Sequence, residues 1–259
     1  MDILVCVKRV PDTAENEIEV NSDGSDIERD DVVYSVNEWD NYAVEEAIQI
    51  RDNVGGSVTV VSVGDEESEE VLRREMAMGA DNGILVDDEV FENTDGKGIA
   101  TALKAVIQAG SYDLIMTGAL ADGGAGQIGG MVAAMLDLPY ASLVNKIEVG
   151  DGSLKVGREI EGGNQEMNEI SLPCVVSIQT GINEPRYVGI RGIRKVASVE
   201  IPVKSAADLG LSADDAAAKV TRQTYFVPEL GEGAEILEGS TEEQIEKLIE
   251  ILKSKGGIK

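Results

Sequence analysis

Through its first 140 residues the chain alternates short, nearly continuous apolar runs with longer stretches whose apolar positions recur three and four apart. Residues 3–10 form the first run, which ends in Lys8-Arg9 and is stopped by Pro11. Residues 40–51 carry Tyr42, Ala43, Ala47 and Ile48 as one helical stripe. Ser57–Val63 (SVTVVSV), 83–86 and 112–117 predict strands, and 66–78 and 98–109 predict helices. Strands that are apolar on both sides and separated by helices predict an α/β fold: a mostly parallel, Rossmann-like sheet with helices on both faces.

After Leu138-Pro139 the rhythm changes. Residues 143–149, 154–160, 166–172 and 175–180 read as strands joined by Gly, Asp and Asn turns, which predicts antiparallel hairpins at the edge of the sheet. Beyond Asn183 the pattern thins into an irregular, extended arm ending in one clear helix. Ser240 and Glu243 make a capping box there, and Ile245, Leu248, Ile249 and Leu252 form its stripe. The division expected is an α/β nucleotide-binding domain over 1–185, then a partner-docking loop and C-terminal arm over 186–259. Such an arm has little core of its own and is expected to lie against another surface, either a second subunit or its own domain.

Charge narrows the functions available. Against 49 acidic residues stand 22 Lys and Arg, a formal net charge of −27, with no histidine and two cysteines. Without imidazole there is no Ser/His/Asp or Cys/His nucleophile and no His-built metal site. Cys6 and Cys174 lie in apolar strand-like runs and read as small buried hydrophobes. A reducing cytoplasm fits two free thiols, the lack of a secretory segment and the lack of a membrane-length apolar run. With 42% hydrophobic residues a packed core is expected, so the charge reads as a surface adaptation to high salt, a halophilic trait, the alternative being a mesophilic acidic protein whose charge repels nucleic acid. Nucleic acid is excluded as a partner, since phosphate neutralisation needs a basic face.

One segment is rich in chemistry. Between the strand at 112–117 and the apolar run MVAAML lie Asp122, Gly123, Gly124, Ala125, Gly126, Gln127, Ile128, Gly129 and Gly130. Glycines let backbone N–H groups approach a phosphate, and the following helix N-terminus offers oriented donors. Gly124, Gly126 and Gly129 satisfy G-x-G-x-x-G, but the match follows a late strand, so the pattern fits a phosphate cradle for an adenine nucleotide better than a dinucleotide fingerprint, the alternative being a long flexible βα loop. Cys6 at the end of the first run, Val63 at the end of the next, and Asn37-Glu38-Trp39-Asp40 before a helix should face the same rim. Asn37 is a candidate base or ribose partner, Asp40 a candidate helix cap, and Trp39 either a stacking ring or a structural one. A second segment follows Pro185. Ile190, Arg191, Ile193, Arg194 and Lys195 set two apolar side chains among three positive charges, the makings of a docking loop for an acidic partner, and Gly189 and Gly192 predict a mobile or sharply turned backbone. The alternative for this stretch is a solvated turn whose cations pair with nearby carboxylates.

The motifs VKRVPD, AVEEA, AMGAD, the glycine loop with Gln127 and Gly129, and LPCVVSIQTGINEPRY, in order over about residues 1–200, resemble the β subunit of electron-transfer flavoproteins. The resemblance implies an electron carrier subunit rather than an enzyme, in a heterodimer with an α subunit that holds most of one FAD. It implies dehydrogenases of acyl-CoA type as donors and a membrane quinone oxidoreductase as acceptor, so the protein would be cytoplasmic and peripheral to the membrane through that acceptor. By matching motifs it assigns AMP contacts to Cys6, Asn37 to Asp40, Val63 and Asp122 to Gly130. It puts Trp39 near the flavin, with Pro11 to Thr13 close by, and makes Ile190 the apolar anchor of dehydrogenase recognition. The loop departs from the family in being one residue shorter, with Gly123, Gly124 and Ala125 at usually polar positions, which leaves backbone rather than side-chain contacts to phosphate. Asp-Gly followed by Gln-Ile-Gly is also similar to the electron-bifurcating branch, which holds a second FAD in place of AMP. A third reading is a stand-alone adenine-nucleotide-binding regulatory protein.

Overall fold

The computed structural model describes residues 1–229, 231 and 233–258. Its elements run β1 (Asp2–Cys6), β2 (Arg9–Pro11), β3 (Tyr34–Val36), α1 (Glu38–Val54), β4 (Ser57–Val63), α2 (Glu69–Met78), β5 (Asn82–Val86), α3 (Gly96–Ala109), β6 (Leu114–Gly118) and α4 (Ile128–Leu136). Then come β7 (Tyr140–Val149), β8 (Ser153–Ile160), β9 (Asn164–Ser171), β10 (Cys174–Ile178), α5 (Ile190–Val196), β11 (Val203–Lys204), α6 (Ala213–Ala216) and α7 (Thr241–Ser254).

The main sheet has nine strands in the order β11-β5-β4-β1-β6-β10-β7-β8-β9, and β2 pairs with β3 in a separate ribbon. Only β7–β8 and β8–β9 pair antiparallel in the main sheet. Alternate residues of each central strand serve opposite faces. Ile3 and Val5 pack with Ala43, Ala47 and Ile48 of α1 and Leu72 of α2. Leu4 and Cys6 pack with Leu103 and Val106 of α3 and Val132 of α4. Two covered faces are why these strands are nearly continuous apolar runs, with only small hydroxyls such as Thr59, Ser62, Thr117 and Ser177 buried among them. The edge hairpins differ: Leu154 and Val156 of β8 are buried, while β9 is exposed or half-exposed along its length.

The contacts divide the chain into two units: Met1–Ile18 with Glu28–Gln223, and Glu19–Ile27 with the chain from Thr224 onward. In the first unit α5, β11 and α6 pack on α2, β5 and α3 respectively. In the second, Val20 bridges to Ile27 and the Tyr225 amide donates to Gly24 O at 2.8 Å. Its helix α7 has both halves of the expected capping box, Ser240 with Glu243. No described helix is long and apolar enough to cross a membrane.

Three local expectations are corrected. The run at 3–10 is not one strand: Val7 still donates to Val61 O at 2.9 Å, but the Lys8 amide turns to Asp40 Oδ2, also at 2.9 Å, and the chain leaves the sheet. Asp40 is not the cap of α1. Asn37 holds that position, and Asp40, three residues in, is buried with its carboxylate aimed at the sheet. Residues 190–196 are not a mobile loop but the helix α5, in which Gly192 lies so close to α2 that a Cβ would stand 2.4 Å from Ala77 O. That glycine serves close packing of two helices rather than loop freedom.

Candidate functional site

The chain passes from β1 to β4 and β5 on one side and later returns to β6 on the other, so the strand order reverses between β1 and β6. In open α/β sheets the crevice beyond the carboxyl ends of such a pair is where ligands bind. Asp40 closes the base of this crevice. One oxygen accepts the Lys8 amide after β1, and the other accepts the Gly118 amide at the end of β6, at 2.9 Å. Burial pushes the Asp40 pKa up to about 7, against the pull of the Gly118 and Lys8 amides that bond its charged form. Gly118 must be glycine here, since a Cβ would stand 2.5 Å from Asp40 Oδ1 and 2.6 Å from Trp39 Cβ.

The walls come from α1 and the long β6–α4 connection. Asn37 is fully buried; its amide nitrogen donates to Leu120 O at 2.9 Å, and its Oδ1 has no hydrogen-bond partner. A buried orphan acceptor is costly unless a ligand or water donates to it. Lys8 Nζ reaches under the loop to Asp122 O at 2.7 Å. Residues 122–127 are exposed, with Gly123 (φ +67) and Gly126 (φ +62) in the left-handed region. Gln127 caps α4 without a side-chain bond, and the first helical bond is Met131 N to Gln127 O, so the leading amides of α4 stay open as donors.

The expected nucleotide residues therefore gather at this crevice with exceptions. Cys6 ends β1 and Val63 ends β4, both on the face shared with α3 and α4. Burial, with Asp40 second, drives the Cys6 thiol pKa far up, so it packs as a thiol and not a nucleophile. Glu38 points to solvent. Trp39 is tied away at the end of β10, its indole N–H donating to Gln179 Oε1 at 3.1 Å. Gly129 is buried against the sheet, where a Cβ would stand 2.3 Å from Ser177 Oγ and 2.8 Å from Thr117 Oγ1. Its lack of a side chain serves helix–sheet packing, while its amide is one of the leading donors of α4. Gly130 faces the Tyr140 ring. Among the described residues no group of three or more His, Cys, Asp or Glu side chains could hold a metal.

The docking residues stand elsewhere, on α5. Ile190 and Ile193 are 68% and 52% exposed, and Arg191, Arg194 and Lys195 are exposed beside them, while Val196 is buried as the helix's anchor. The approach to α5 is fastened to α1. Arg186 makes a two-pronged pair with the buried Glu45, at 2.8 and 3.0 Å, and Asn183 Nδ2 donates to Glu46 Oε2 at 3.0 Å. Arg73 of α2 holds the far end by donating to Val196 O at 2.8 Å.

Sequence reasoning set Lys8 at the end of the first strand on this rim without giving it a role, and it did not single out Gln179, which accepts the Trp39 indole N–H.

A family model described as "Electron transfer flavoprotein domain" matches residues 25–209. The chain is 37% identical to the electron transfer flavoprotein subunit beta of Methylophilus methylotrophus, over 97% of this chain and 98% of that protein. It is 33% identical to the protein of the same name from Bacillus subtilis, over the full length of both. It is also 33% identical to the caffeyl-CoA reductase-Etf complex subunit CarD of Acetobacterium woodii, over 98% of this chain and 99% of that protein. A match of this length, on a sheet of this topology, places the chain in the electron transfer flavoprotein family as a beta subunit, part of an electron carrier and not an enzyme in itself.

Proposed function

We propose that this chain pairs with an electron transfer flavoprotein α subunit, binds AMP in the crevice between β1 and β6, and docks electron-donating dehydrogenases of acyl-CoA type through α5. The observation that carries the nucleotide reading is Asn37 Oδ1, a fully buried acceptor without a partner at a strand-order reversal. A donor on an adenine or ribose satisfies it, and the open amides of α4 and the backbone of 122–127 suit a phosphate. The residues present thus fit an adenylate. Asn37 would hold the base or ribose, Val63 and the Cys6 thiol would line the apolar wall, and Asp40 would keep the two strand ends in register.

FAD, held mostly by the α subunit, supplies the one- and two-electron chemistry when bound. The work of this chain is to hold that subunit and to receive the donor. Ile190 and Ile193 give the donor an apolar anchor, and Arg191, Arg194 and Lys195 steer an acidic partner toward it on an otherwise negative surface. The stripe Ile245, Leu248, Ile249 and Leu252 on α7 is a surface for the α subunit. Electrons then leave to a membrane quinone oxidoreductase, which makes the complex cytoplasmic and peripheral to the membrane. The charge of −27 suits a halophile's cytoplasm, and thermal unfolding followed against KCl tests it: stability equal at low and molar salt would end that reading.

A second reading has a specific support in the similarity to CarD over nearly the full chain: a bifurcating flavoprotein with a second FAD in the crevice. Nucleotide extracted from the purified heterodimer decides between them. One FAD and one AMP per pair is the expected result; two flavins without AMP would replace the first reading by the second.

A further inference from the structure

We infer that Glu45 and Arg186 are positioning residues for donor docking: their two-pronged pair fixes where the start of α5 stands, and so where Ile190 and Ile193 are presented. The inference rests on the docking reading above and adds to it two residues that lie outside α5.

Helix α5 has few means of holding itself. It is seven residues long, its N-cap Gly189 makes no side-chain bond, and Gly192 lies inside it. A helix so short is unstable in water by itself, so its place is set by its neighbours. Arg73 of α2 donates to Val196 O and Val199 O, at 2.8 and 3.1 Å, and Gly192 packs against Ala77 O. These contacts fasten its middle and its far end. The near end, which carries Ile190, follows an irregular segment over 184–189, and that segment is fastened to α1.

Asn183 Nδ2 donates to Tyr42 O at 3.1 Å and to Glu46 Oε2 at 3.0 Å. Arg186 then gives three bonds to a single carboxylate. Its amide and Nε reach Glu45 Oε2 at 3.2 and 2.8 Å, and one terminal nitrogen reaches Oε1 at 3.0 Å. Gln49 Nε2 adds a fourth, to Oε1 at 2.8 Å. Burial works against the charge on Glu45, and the bonds from Arg186 and Gln49 outweigh it, so the pKa lies below its ordinary value and the pair is ionic. Two residues on, Val188 packs against the core. The side chains on either side of Tyr187 are thus held inward, and Tyr187 itself stands 93% exposed on a backbone that is fixed.

An ion pair with a buried member is a poor source of stability, because desolvation offsets much of the attraction; its best-attested use is to specify one arrangement. Here the arrangement specified is the entry to α5. A docking surface already held in its bound form loses less conformational freedom on association. The pair therefore acts on affinity for the donor and leaves the flavin chemistry alone.

The test uses the αβ heterodimer with a reduced acyl-CoA dehydrogenase as donor. The kcat and the KM for the heterodimer are measured for the wild type, Glu45→Gln, Arg186→Lys, Arg186→Gln, the double variant Glu45→Gln/Arg186→Gln, and Ile190→Ala. Reduction by dithionite and the count of flavin and adenine nucleotide per pair are followed alongside. Glu45→Gln and Arg186→Gln should each raise KM about tenfold, the scale of a lost bond to a charged group, with kcat, dithionite reduction and cofactor content unchanged. Arg186→Lys keeps the charge without the fork and should fall between them and the wild type. The double variant should cost no more than the larger single, since both singles break one pair. If Arg186→Gln fails to assemble, Glu45→Gln and Arg186→Lys decide the matter. Wild-type KM in Arg186→Lys, additive effects in the double variant, or loss of flavin or nucleotide would overturn the positioning role. An unchanged KM in the pair variants with a raised KM in Ile190→Ala would remove the inference and leave the docking reading. An unchanged KM in Ile190→Ala, or a wild type that the dehydrogenase does not reduce, would remove the docking reading and the inference with it.

Discussion

Helices α1 and α7 are both amphipathic, yet only one is covered. Helix α1 lacks a side-chain cap bond, and Ala43, Val44, Ala47 and Ile48 are wholly buried. Helix α7 has a complete capping box, and its stripe of Ile245, Leu248, Ile249 and Leu252 stands 51%, 48%, 38% and 38% exposed. Local signals make both segments helical, but burial depends on whether the fold provides a facing surface. For α1 that surface is the sheet. For α7, no described residue of its own unit buries the stripe.

The largest effect that would sharpen this contrast comes from truncating the two stripes. Ile48→Ala should cost about 2–5 kcal/mol in chemical denaturation of the isolated chain, whereas Leu248→Ala should stay within about 0.5 kcal/mol. Leu248→Asp should leave the isolated chain equally stable and weaken heterodimer assembly about tenfold or more. A large loss of stability in the isolated chain from either Leu248 variant would show that α7 is covered by its own chain and break the comparison.

Next is the polar exception within the covered face. Glu75 of α2 is wholly buried with neither oxygen bonded, and burial, reinforced by Asp40 and Glu45 and opposed by Arg74, pushes its pKa up to about 8. The folded chain thus keeps a proton that the unfolded chain releases near 4.5. This group's share of stability is full below pH 4.5 and is lost as pH rises to about 8. Glu75→Gln should remove that decline, gaining on the order of 3 kcal/mol or less over wild type above pH 8 and little near pH 4. A gain of equal size at both pH values would mean that Glu75 does not titrate in this window.

A smaller effect separates two glycines of the loop. Gly129→Ala forces a Cβ onto Ser177 and Thr117 and should destabilise the nucleotide-free chain by about 1–3 kcal/mol. Gly123→Ala meets nothing within 4 Å and should cost only about 1 kcal/mol for its left-handed backbone. Equal costs would show that α4 can shift off the sheet. The smallest is Ser240→Ala, which should remove about 1 kcal/mol of helix α7 as read by circular dichroism of the isolated chain.

How much of this was legible follows the same division. The central strands and α1 to α3 announce themselves because two-sided burial forces continuous apolar runs and a regular stripe. The hairpins show through alternation. The split after Cys6 does not, because Val7 and Val10 are apolar and the turn is made by Asp40, thirty-two residues on from Lys8. Gly189 precedes residues 190–196 and Gly192 lies within them, and only contact with Ala77 reveals that Gly192 is there for helix packing. At the site, Asn37 and the loop are readable from residue type and position beside a strand. The path of residues 219 and 220 is not, since Asp95, 124 and 125 residues away from the amides it holds, sets it.

The central claim is that the crevice between β1 and β6 holds an adenine nucleotide while the flavin belongs mainly to the partner. The direct measurement is the release of bound small molecules from the purified αβ heterodimer by denaturation, with AMP and FAD counted per pair for the wild type and for Asn37→Leu. The account predicts one FAD and one AMP in the wild type, and one FAD with AMP lost in the variant. A wild-type heterodimer with full flavin and no adenine nucleotide beyond that flavin would contradict it.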